Sequence, residues 1–371
     1  MAATNLCSRC GYVLAALFTY NAQAMILPED RSDVLYHSYE GGGVEVTGPA
    51  VLVRKGFAEK VSVAATYYVD NITSASIDVV TTASKYTDKR EEKGLSVDYL
   101  YRDALLSLSY TNSNENDYTA ASYDLNISQE MLGGMTTVSL GYNRGNDEVG
   151  RTDDPGFAEG IDRWQYRLGV SQVVTKSIIV SLDYDAISDE GFLNNPYRSA
   201  RILGTTVPER YPQTRSSHAT SFRAVKHFDY PATVSFSYRY FWDTWEINAS
   251  NYELAYDQYL WSRKLLLNVY YRNYSQQGAS FYSDEFSREQ NYMARDKELS
   301  TFSSDALGAK ISYVFLGEPW SILDKGTVNF SYEYISFDYD DYTDRRPDSS
   351  SFGEPYSFDA NVYQLFVSLW Y

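Results

Sequence analysis

The chain of 371 residues is 44% hydrophobic, 22% charged and 16% aromatic, which excludes a disordered tail, a collagen-like repeat and a bundle of membrane helices. Its formal charge of -17, from 32 Lys and Arg against 49 Asp and Glu, repels phosphates and argues against a nucleic-acid partner. Tyrosine is unusually frequent, with 36 copies against 17 Phe and 6 Trp, and its apolar ring and polar tip suit strands and membrane interfaces.

The first 24 residues read as a cleaved signal peptide. Arg9 supplies a positive start, Gly11 to Tyr20 an apolar stretch, and Ala22-Gln23-Ala24 a small-x-small cleavage site. A buried N-terminal helix is the plainer alternative. Cys7 and Cys10, the only cysteines, fall inside this leader, so the exported chain is expected to use no disulfide, Cys nucleophile or haem-attachment motif. No lipobox-like segment precedes either one. No later apolar run reaches the 18 or so residues that a membrane helix needs.

Residues 25–43 are expected to form an N-terminal segment or first strand. From residue 44 onward, windows of about ten residues carry apolar side chains at every second position, a period that lines one face of a strand. Val61, Val63, Ala65, Tyr67 and Val69 start the pattern. It returns at Leu95 to Tyr101, Tyr123 to Ile127, Val138 to Tyr142, Trp164 to Val170 and Ile178 to Tyr184. Further windows run over Val234 to Tyr240, Leu307 to Tyr313 and Val328 to Tyr334. The opposite faces are polar, as in Arg163, Gln165 and Arg167, or Ser181, Asp183 and Asp185. Apolar outside and polar inside is the signature of a barrel in lipid with a wet interior. A soluble sandwich or propeller also alternates, but the tyrosines at strand ends and the alternation of short and long breaks favour the barrel.

The short breaks near 55–59, 102–104, 130–134, 174–177, 229–232 and 261–264 are expected to be periplasmic turns. Those near 71–93, 143–160, 186–217, 275–304 and 341–357 are then extracellular loops. Residues 363–371 alternate again and end on Tyr371, like the C-terminal strand read by the outer-membrane assembly machinery. Fifteen strands over the barrel region 44–371, with Val34 to Gly42 as a further, first strand, predict an all-β transmembrane antiparallel up-and-down barrel of 16 strands. The alternative is 14 strands with an N-terminal plug. Such a barrel is wide enough for an aqueous channel. Asp98, Arg163, Arg167, Asp183, Arg239 and Arg272 are the predicted lumen-lining charges, and the loop from Asp185 to Ser217 is the predicted inward constriction.

Local catalytic and metal motifs are weak. His37, His218 and His227 have no metal-ligand spacing, so no catalytic or metal residue is assigned; a hydrolase assembled from distant strands is a further alternative. Asp338-x-Asp340 starts like a calcium loop but continues with Tyr342 and no Gly. The acids of the loops read as solvated charge beside lipopolysaccharide. Gly41-Gly42-Gly43 and Gly48-Pro49 lack the Lys-Ser/Thr of a phosphate loop and read as bends or points of close backbone approach.

Several segments stand outside the alternation: Tyr36-His37-Ser38-Tyr39-Glu40, Asp70 to Val80, Asn194-Asn195-Pro196-Tyr197-Arg198 and Tyr211-Pro212-Gln213-Thr214-Arg215. Tyr238 to Trp245 and Tyr271-Arg272-Asn273-Tyr274-Ser275-Gln276 complete the set. In this order the set resembles a family of Gram-negative outer-membrane proteins catalogued as domain of unknown function thirty-five seventy. The resemblance implies a barrel working beside a periplasmic FMN transferase, a small lipoprotein-like protein and thioredoxin-like proteins. It directs attention to Asp70-x-x-Thr73-Ser74-Ala75-Ser76, which is similar to an FMN-transferase acceptor segment. In that comparison Asp70 is the recognition acid and Ser76 the hydroxyl that takes a covalent FMN, with Ser74 departing from the usual Gly. The expected function is a channel or scaffold of an envelope redox system in the outer membrane. A general diffusion porin or small-solute transporter is the alternative.

Overall fold

A computed structural model describes residues 25–74 and 86–371. Residues 1–24, with the predicted leader and both cysteines, and residues 75–85, with Ser76, lie outside the described residues. The strands in chain order are β1 (Arg31–Gly41), β2 (Val44–Phe57), β3 (Val61–Ser74), β4 (Tyr86–Tyr101), β5 (Ala104–Asn114) and β6 (Tyr118–Met131). Then come β7 (Thr136–Gly150), β8 (Ala158–Thr175), β9 (Ile178–Gly191), the short β10 (Ser199–Ile202) and β11 (Thr205–Pro208), and β12 (Thr214–His227). The last six are β13 (Ala232–Asp243), β14 (Asn248–Leu260), β15 (Leu265–Gln276), β16 (Phe302–Leu316), β17 (Lys325–Thr343) and β18 (Pro355–Trp370).

All except β10 and β11 join one closed antiparallel barrel of 16 strands. Closure runs through β1, which pairs with β18 from Arg31↔Trp370 to Gly41↔Ala360 and with β2 along its whole length. The ring leaves no unpaired edge, which is the condition for strands to sit in lipid. β1 is therefore a wall strand, not a plug.

The period of two decides which side each residue faces. In β8, Tyr166, Leu168 and Val170 are exposed on the outer surface, while Arg163, Gln165 and Arg167 between them face inward. Tyr67, Tyr99, Tyr142, Tyr184, Tyr240, Tyr313 and Tyr334 are likewise exposed outside, as an aromatic girdle requires. Tyr371 is half-buried, and its hydroxyl donates to the Arg54 carbonyl at 2.9 Å.

Short turns and long loops segregate to opposite rims. The strands are longer than the alternating windows predict: β7 continues to Gly150, β9 to Gly191 and β17 to Thr343. The predicted loops therefore shrink to 151–157, 192–213, 277–301 and 344–354. At that height both faces of a strand meet water or polar groups, so the apolar contrast ends while the backbone ladder continues. Gly42 and Gly43 close the β1–β2 hairpin with φ of 57° and 79°, the conformation that a two-residue turn matching the strand twist demands.

Candidate functional site

The lumen is built by alternation alone. Arg167 on β8, Asp185 on β9 and Arg239 on β13 share the inner face, and the structure brings them together: Arg167 Nε is 3.1 Å from one oxygen of Asp185 and Arg239 Nη1 is 3.0 Å from the other. Gln165 Nε2 donates to the same carboxylate at 3.1 Å. Arg163 donates to Asp189 at 2.7 Å and lies 3.9 Å from Asp147. Around the wall, Arg272 pairs with Glu333 and is 4.0 Å from Glu253. Asp98 accepts from Arg54 at 2.5 Å and from Ser107 at 2.6 Å.

Each predicted lumen charge faces inward, but they form separate pairs and clusters, not one continuous ring. The side chains of Arg163, Arg167 and Arg239 are 43%, 40% and 44% exposed, so the lumen at their level is open to water. Ion pairs that exposed contribute about 0 to 1 kcal/mol each. Their main effect is on the field inside the barrel.

A second polar group lies in the wall across β1 to β4. Its members are in line across four strands: His37 on β1 is opposite Gly48 on β2, and Asp70 on β3 is opposite Arg90 on β4. The His37 ring reaches across β2 at Gly48, and its Nε2 donates to Asp70 Oδ1 at 2.8 Å. Arg90 Nη2 is 2.8 Å from the other oxygen of Asp70. Tyr68 stacks on His37 with centroids 4.8 Å apart and planes 7° from parallel. Asp70 and His37 are buried, 0% and 2% exposed.

This is where the structure places two residues of the predicted FMN segment. Asp70 is engaged inside the wall, Thr73 sits near the end of β3 opposite Thr87, and Ser76 is outside the described residues. The remaining histidines are on other surfaces. His218 is stacked outside between Tyr184 and Trp242, and His227 Nδ1 lies 2.9 Å from Thr233 Oγ1 near the turn rim. Among the described residues no histidine is bonded to a serine hydroxyl.

The third feature is the mouth at the loop rim. Loop 277–301 folds inward: Tyr282 packs on the inward-facing cluster of Phe302, Phe337 and Tyr339, and its hydroxyl donates to the Asp341 carbonyl at 3.0 Å. Loop 192–213, with its β10–β11 hairpin, packs on loop 277–301 through Ala200, Ile202 and Val207 against Phe286 and Met293. Its Tyr197 hydroxyl donates to Asp117 of the β5–β6 loop and accepts from the Thr152 backbone of the β7–β8 loop at 2.8 Å. The loops thus reach from β5–β6 to β17–β18. The predicted constriction by 185–217 is corrected in one respect: its two ends, 185–191 and 214–217, belong to β9 and β12, and the segment whose Tyr282 packs on the inner wall is 277–301. The in-line polar group and the loop contacts escape sequence reasoning because no periodicity links residues on separate strands or in irregular loops. Glu253 and Glu333 could have been found by strand parity.

Residues 158–340 match the model of the family described as Protein of unknown function (DUF3570). A bacterial polysaccharide outer membrane secretin is similar in structure at 8% identity and a TM-score of 0.53, with 93% of this chain and 100% of that chain covered. OmpT of Vibrio cholerae, folded in vitro, is 11% identical at a TM-score of 0.47, with 94% and 100% covered. OpdK of Pseudomonas aeruginosa is 10% identical at a TM-score of 0.44, with 92% and 99% covered. No curated protein matches the chain in sequence. Only the first of these structures is similar enough to support the fold, and at that identity it supports nothing further. The chain is thus a closed barrel of 16 strands of the outer-membrane type that carries, over β8 to β17, a segment matching the DUF3570 family.

Proposed function

We propose that the protein is a water-filled channel in the outer membrane of a Gram-negative bacterium, with the loop rim outside, and that it passes small hydrophilic solutes with a preference for cations. The observation that carries this reading is the set of inward arginines that stay water-exposed while bonded to acids at mid-height. A wall built to seal itself would bury such groups. The sign of the preference follows from the acids left over. Among the described residues, Glu92, Asp124, Asp183 and Asp257 face inward with no cation in salt-bridge range, against Arg223 and Lys310 on the other side. A net negative wall enriches cations and depletes anions.

Purified barrel in planar bilayers is expected to give ohmic current steps, with a reversal potential in a salt gradient displaced toward potassium. Folded protein that carries no current would remove the channel. Replacing Asp185 by Asn leaves Arg167 and Arg239 without their shared counter-charge. The ratio of cation to anion permeability should then fall by at least about twofold. The flavin-linked scaffold draws on the segment from Asp70 to Ser76 alone. An FMN-sized mass increment on residues 71–85, from a host that has the transferase, would favour that reading over a plain channel.

A further inference from the structure

Glu209 lies where loops 192–213 and 277–301 meet. It is buried; its Oε1 accepts from the Arg295 backbone at 2.6 Å and its Oε2 from the Tyr211 hydroxyl at 2.7 Å. The same hydroxyl is 3.4 Å from Asp296 Oδ2, and Arg198 pairs with Asp296. On one side of this joint Arg210 and Met293 exchange backbone hydrogen bonds of 3.0 and 2.8 Å across the loops. On the other, Tyr211 packs against Trp245 and Phe281 at 5.7 and 5.4 Å. A buried carboxyl thus holds the two loops together beside a second carboxyl.

We propose that these loops form a proton-controlled gate over the lumen, packed shut at acid pH and released as Glu209 ionises. The proposal rests on the channel reading above. Burial, then the negative charge of Asp296, pushes the Glu209 carboxyl up from 4.5 to about 7. Arg198, the Tyr211 hydroxyl and the Arg295 amide act in the opposite sense. An acid that binds its proton more tightly in the packed state stabilises that state fully below its ordinary value. The advantage is lost as pH rises toward 7.

The geometry supplies the mechanism. With Glu209 protonated, Tyr211 can donate to Asp296, and Arg198 faces a single carboxylate. With both acids ionised, two negative groups lie side by side away from water, sharing the Arg198 guanidinium and the Tyr211 hydroxyl beside the Arg295 and Glu298 amides, and the joint weakens. Trp245, which packs on Tyr211 from the β13–β14 loop, brings no charge. The attachment to the β17–β18 loop behaves differently. Burial works against the Asp284 carboxylate there, but the Thr343 hydroxyl, Arg295 and Arg345 hold it below the usual range. It stays ionised throughout, so loop 277–301 keeps its seat and loop 192–213 is the part that releases.

Hydrogen exchange of the Arg210, Met293 and Ala294 amides, corrected for intrinsic rates and run beside bilayer currents at pH 5 and pH 8, tests the gate. Protection should fall on the order of tenfold at the higher pH, with a matching rise in open probability. Glu209→Gln should stay protected and closed at both values. Asp296→Asn should shrink the difference. Wild-type protection that is independent of pH overturns the gate whether or not current flows. Protection that depends on pH in a barrel with no current supports the proton-controlled joint and overturns the channel reading instead.

Discussion

Gly48→Ala should prevent the barrel from closing. A Cβ at Gly48 would lie 1.8 Å from the Val69 carbonyl oxygen and 2.8 Å from its carbon. Those are backbone atoms, so no rotamer change relieves the contact and β2 must separate from β3. The β2–β3 pairing lapses between Thr47↔Asn71 and Ala50↔Tyr68, where Pro49 has no N–H to donate. The pair therefore has few local bonds with which to absorb a shift. Displacing β3 also moves Asp70 away from His37. Overpacking typically costs about 1 to 3 kcal/mol and more where backbone must move, and here it falls beside the seam where β1 closes on β18. Refolding into detergent, followed by heat-modifiable mobility on a gel, should show no folded form. A variant that folds like the wild type would mean that β2 and β3 can part without penalty.

Asp70→Ala should be the most damaging change that leaves the backbone path intact. It removes the carboxylate that lies between the His37 ring and the Arg90 guanidinium, 2.8 Å from each. Deleting one partner of a buried ion pair typically costs about 3 to 5 kcal/mol, because the remaining charge stays out of water without its partner. The loss should appear as a lower denaturant midpoint with little change in slope. Asp70→Asn should fall between, since an amide oxygen can still accept from His37 but no longer balances Arg90. A double cycle with His37→Ala should show non-additive coupling. Asp70→Ala with an unchanged midpoint would show that the in-line group adds nothing to stability.

These two positions show how unevenly the molecule was legible. The outward tyrosines and the inward Arg163, Arg167 and Asp185 follow from a period of two, since a wall between lipid and water imposes that period on every strand; the count of 16 needed the further condition of an even number. Gly48-Pro49 could be read as a close backbone approach from composition. That the Val69 carbonyl makes this approach, and that a histidine from β1 reaches Asp70 on β3, could not. The same holds for Glu209 and Asp296, which are far apart in the chain and lie in loops without pattern.

The sequence by itself determined the class of fold, the face of each strand and the chemistry of the lumen, because these depend on local alternation against two solvents. Only the tertiary structure decided which charges meet, which loop enters the barrel and which carboxyls are buried. Closing the sheet sets the register of β1 on β18, and packing the loops sets their partners. Both are contacts between distant residues, for which the sequence carries no period.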